Sequence, residues 1–93
     1  MLVLPAILTS REARDTLAML SQSIEREPES GVAVDASGLR QLDSASLAVL
    51  LECRRLALSW NKPFSVRQAP QKLVALAKLY GVEELLLGSP AAA

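Results

Sequence analysis

Histidine is absent from the 93-residue chain, cysteine occurs once, at Cys53, and only Trp60, Phe64 and Tyr80 are aromatic. Without histidine there is no Ser-His-Asp triad, no Cys-His pair and no imidazole metal ligand, so enzyme chemistry is not expected. One cysteine excludes an intrachain disulfide and a CxxC motif, which fits a reducing compartment. Ten basic side chains balance ten acidic ones, so the basic excess of a nucleic-acid footprint is missing, and three aromatics are too few for a base-stacking platform. No stretch reaches the roughly 18 uncharged residues that a membrane-spanning helix needs, so direct membrane insertion is not expected. The apolar start, Met1 to Leu8, lacks a basic leader and runs straight into Ser10, Arg11 and Glu12. It does not read as a signal peptide, and a cytoplasmic domain is expected.

What is present is 51% apolar residues, enough for one small core and therefore one domain, taken as residues 1–88 with 89–93 as a tail. Leu2 to Leu8 is short and rich in branched residues, so it reads as one strand, with Pro5 marking a bulge or edge. Thr9 and Glu12 have capping-box spacing, and Ala13, Leu17, Leu20 and Ile24 then recur at helical intervals. Val32 to Ala36 reads as a buried strand, Leu39 to Leu42 as a short connection, and Asp43 as the N-cap of a helix ending near Trp60. Asn61, Lys62 and Pro63 stop that helix. Phe64 to Gln68 alternates as a half-buried strand does, Pro70 opens a third helix, and Gly81 is placed as its left-handed cap, with one more turn over Val82 to Leu87. Strand and helix alternate, which predicts an α/β fold with a mostly parallel sheet of three to four strands and crossover helices.

The central helix carries the most information. Advancing 100° per residue gathers Ala45, Val49, Leu50, Cys53, Leu56, Ala57 and Trp60 on a core face and Ser44, Ala48, Glu52, Arg55 and Ser59 on a solvent face. Leu47, Leu51 and Leu58, with Arg54, form a shoulder beside Ser44 that is either covered by another helix or left as an apolar patch for a partner. Ser44 stands in the first turn, where free backbone N–H groups would favour a phosphate; equally, Asp43, Ser44 and Ser46 together read as ordinary capping residues. Cys53 points to the core and reads as a structural thiol. Asp35 and Asp43 read as a strand-end and a helix-cap residue rather than as a metal or acid–base pair. Glu52 with Arg55, and Arg11 with Asp15, have the spacing of solvated ion pairs. Tyr80 reads as a core aromatic, with an interface rim as the alternative.

The stretch Asp35-Ala36-Ser37-Gly38-Leu39-Arg40-Gln41-Leu42-Asp43-Ser44-Ala45-Ser46-Leu47-Ala48-Val49-Leu50-Leu51 resembles the signature of STAS domains. In that family a V-x-V-D-x-S strand and a loop lead to Asp-Ser or Asp-Thr at the head of an amphipathic helix. The end of the chain, Leu76-Ala77-Lys78-Leu79-Tyr80-Gly81-Val82, is similar to the MlaB group, the STAS components of Mla phospholipid ABC transporters. Two departures stand out: one strand rather than a hairpin precedes the first helix, and Ser46 stands near a position where the family often has glycine.

The resemblance implies a non-enzymatic STAS-like domain without cofactor or metal. It would bind and regulate the MlaF-like ATPase subunit of a transporter that maintains outer-membrane lipid asymmetry. Through that subunit it would associate peripherally with the inner-membrane permease. Ser44 would mark the contact centre, with Leu47, Leu51, Arg54, Arg55 and Leu58 around it and Asp43 as the cap. The alternative it implies is an anti-sigma factor antagonist switched by phosphorylation of Ser44. A small hydrolase or phosphotransferase using Ser44 ranks last, for want of a histidine.

Overall fold

A computed structural model describes residues 1–87, and among these described residues there are five short strands and four helices. The strands are β1 (Leu2–Val3), β2 (Ile7–Leu8), β3 (Val32–Asp35), β4 (Gln41–Leu42) and β5 (Phe64–Arg67); the helices are α1 (Ala13–Arg26), α2 (Ser44–Ser59), α3 (Gln71–Leu79) and α4 (Glu83–Leu87). β1, β3 and β5 form a three-stranded sheet in that order, and β2 pairs separately with β4. Every pairing is parallel, as alternation of strand and helix predicts. The expected tail, 89–93, lies outside the described residues.

The expected single strand over Leu2 to Leu8 is two strands in two sheets. Pro5 has no N–H to give to a ladder and fixes its own φ, and the chain changes partner there. Leu2 lies in register with Val34, while Ile7 and Leu8 align with Gln41 and Leu42. The expected plain connection before α2 therefore contains β4. Two short strands, not one, precede α1, and they make no hairpin with each other.

The core lies under one face of the main sheet. Val32 and Val34 of β3 are buried beside Phe64 and Val66 of β5, against Leu20 and Ile24 of α1 and Leu50 and Cys53 of α2. Alternation within the strands puts Val3 and Ser65 on the other, exposed face. α2 and α3 end alike. The N–H groups of Asn61 and Lys62 return to Leu58 and Ala57, and those of Gly81 and Val82 to Lys78 and Ala77. Asn61 (φ 59°) and Gly81 (φ 72°) supply the left-handed residue that this helix ending requires. Lys62 then turns inward, only 5% exposed, and its Nζ donates to the carbonyls of Ile24 and Glu25 at 2.9 Å each. The exit of α2 is thereby fastened to the C-terminus of α1. Trp60 does not join the core as its helical phase predicted; it is the C-cap of α2, half exposed, with its ring beside the Lys62 ammonium.

Candidate functional site

Both long helices begin at the same end of the molecule, because β2 and β4, which feed them, run parallel. Thr9 and Glu12 close the lead-in turn of α1: the Thr9 N–H and hydroxyl both donate to Glu12 Oε1, at 2.9 and 2.6 Å. Those bonds from Thr9 hold the Glu12 carboxyl below its ordinary pKa. At α2, Asp43 Oδ1 accepts the N–H of Ala45 at 2.9 Å, and Ser46 Oγ accepts the N–H of Asp43 at 3.2 Å. This is a reciprocal capping box. Its parts reach beyond α2: Asp43 Oδ2 accepts the N–H of Ser10 at 3.2 Å, and the fully buried Ser46 hydroxyl donates to the carbonyl of Leu8. Two helix starts and one strand are thus locked together.

Capping is therefore the work of Asp43 and Ser46. Ser44 takes no part in it and stands exposed at the first position of α2. Below it runs a shallow pocket of about 230 Å³ lined by Ser44, Leu47, Ala48, Leu51, Tyr80 and Val82. Three of the expected contact residues, Ser44, Leu47 and Leu51, come together there. Of the two alternatives for the shoulder, Leu47 takes the covered one, since at 3% exposure it belongs to the core. A projection of α2 alone does not include the α3–α4 corner, which brings Tyr80 and Val82 up beside that strip. Leu51 and Arg54 are half-buried, and Leu58 is exposed near the far end of α2, about 16 Å along the axis from Leu47. Arg55 lies off the strip, its guanidinium gripping Glu52 through Nε at 2.9 and 3.0 Å. That pair lowers the Glu52 carboxyl and raises the Arg55 guanidinium pKa. No ion pair joins Arg11 to Asp15.

Tyr80 is 56% exposed and Leu79 is 78% exposed. Tyr80 is a wall of the pocket rather than the core aromatic expected, and with Val82 it is a site residue that the helix projection missed. Its position next to Gly81 was the available signal, since a left-handed turn there throws the chain back across α2. On the other side of Ala48 lies a larger groove, about 520 Å³, between α1 and α2, where Leu17, Ala45 and Val49 form the floor and Arg14 the rim. Ala48 borders both hollows.

The remaining polar candidates have local roles. Asp35 Oδ1 accepts the N–H of Ser37 at 2.9 Å, which lowers the pKa of its carboxyl. Burial, helped by the charge of Glu52, pushes the Cys53 thiol up to about 12, the reverse of what a nucleophile requires. Among the described residues no three His, Cys, Asp or Glu side chains gather as metal ligands, and no helix is long and apolar enough to cross a membrane. The arrangement offers an exposed hydroxyl at a helix start, backed by apolar side chains. A family model described as "Mlab, STAS domain" matches residues 1–88. No curated protein matches the chain.

Proposed function

Because the chain belongs to the MlaB-like STAS domain family, whose members are generally non-enzymatic, we propose that it is an accessory subunit binding and regulating the ATPase subunit of a phospholipid ABC transporter. One observation carries this reading: Ser44 is exposed and free of capping duty at the head of the pocket formed by Leu47, Leu51, Tyr80 and Val82. A partner side chain seated there would bury apolar surface while the Ser44 hydroxyl and the start of α2 supply hydrogen bonds at its edge. Leu58 and Arg54 continue the strip, and Arg55, paired with Glu52, stands at its solvent side. The domain would act by adding surface that supports assembly of the ATPase, performing no chemistry itself, and it would reach the inner membrane only through the transporter.

Ser44→Glu tests the reading. A carboxylate at the first position of α2 suits the helix dipole, so the fold keeps its stability, but burying that charge against the pocket opposes docking. Binding to the ATPase subunit should fall about tenfold or more; unchanged affinity removes Ser44 from the contact. The exposure of Ser44 also supports a second reading, an anti-sigma factor antagonist phosphorylated there. A cognate serine kinase and ATP would then add one phosphate by mass, lost in Ser44→Ala, and abolish partner binding.

A further inference from the structure

The groove between α1 and α2 has no role in the reading above, and the charges beside it are arranged about a single alanine. Along α1 and its lead-in turn, Arg11, Arg14, Ala18, Gln22 and Glu25 are all exposed and succeed one another at steps of three and four, so they form one stripe on the helix surface. Arg11, Arg14 and Glu25 enter none of the ion pairs among the described residues. The stripe is basic before Ala18 and acidic after it.

We propose that this face binds a second copy of the chain, the two α1 helices lying antiparallel and crossing at Ala18. Antiparallel helices set opposite each other the residues that are equally far from the crossing. Arg11 and Glu25 each lie seven positions from Ala18, and Arg14 and Gln22 each lie four. Two-fold symmetry makes every contact twice: two ion pairs between Arg11 and Glu25 of the second copy, and two hydrogen bonds between Arg14 and Gln22 of the second copy. A parallel arrangement would instead oppose Arg11 to Arg11 and Glu25 to Glu25. The small side chain of Ala18 permits close approach of the axes. Beside the crossing, Met19, 54% exposed, and the half-buried Leu17 of the groove floor supply apolar surface to cover. The self-complementary order of the charges is what selects another copy of this chain as occupant. The inference stands independently of the transporter reading.

Sedimentation equilibrium of the full chain, from about 1 µM to 1 mM at low salt, tests it over the range of a weak homodimer. The mass should rise with concentration from 10.0 kDa toward twice that value, and added salt should lower it. Arg11→Glu and Glu25→Arg should each weaken association about tenfold, since each turns two attractions into repulsions. The double swap, Arg11→Glu with Glu25→Arg, should restore it. A monomer throughout the range, as when the groove serves a different protein, overturns the proposal. So does a dimer indifferent to the single swaps, or a double swap that remains as weak as the singles.

Discussion

Replacing Ser46 by alanine removes one hydroxyl that makes two bonds in a place water does not reach. Its oxygen accepts the Asp43 N–H, and its hydrogen goes to the Leu8 carbonyl, a residue with no exposure at all. Loss of half the capping box costs about 1 kcal/mol, and leaving a buried carbonyl short of a partner adds about 1–2 kcal/mol. The expected destabilisation is thus about 2–3 kcal/mol, which for a domain of this size lowers Tm by about 10–20 °C. Urea titration followed by circular dichroism measures it directly, with Ser44→Ala as the internal comparison. Ser44 is exposed and outside the cap, so its replacement should change stability by less than about 0.5 kcal/mol. If Ser46→Ala proves as mild as Ser44→Ala, or Ser44→Ala as severe as Ser46→Ala, the division of labour between the two serines is wrong.

Lys62→Met should cost about 1–3 kcal/mol in the same titration, because the carbonyls of Ile24 and Glu25 both lose their ammonium donor; a neutral result would mean that water replaces the lysine at no cost. Cys53 makes stability depend on alkaline pH: burial pushes its folded pKa up to about 12, above the ordinary thiol value of 9.0, so the folded state holds the thiol proton more tightly. That contribution is complete below pH 9 and is lost as pH rises toward 12. The urea midpoint should fall across this window, and the fall should be smaller in Cys53→Ala; equal slopes would contradict it.

The order of elements was legible because punctuation residues mark it: Asp43 before α2, Asn61 and Pro63 after it, and Gly81 after α3. β4 and the division at Pro5 were not, since a strand of two residues has no period to detect, and the partner of Ile7–Leu8 lies more than thirty positions away. Ser44 could be singled out from its place after Asp43. The choice between a covered and an exposed Leu47, and the place of Tyr80 in the pocket wall, needed the α3–α4 corner, which no projection of one helix contains. The sequence marks Ser46 only as one of three capping residues, because its second bond goes to Leu8 across the sheet pair. Likewise, the α1–α2 groove arises from how two helices pack, although the charge order of α1 was visible in the sequence throughout.

The claim that Ser44 heads a protein-binding surface is tested most directly by titrating wild type and Ser44→Glu against the Mla-type ATPase subunit of the same organism, with urea stability measured on both. The wild type should bind, the variant should lose about tenfold or more in affinity, and the two stabilities should lie within about 0.5 kcal/mol of each other. Equal affinities in two folded proteins, or no binding by the wild type, would contradict it.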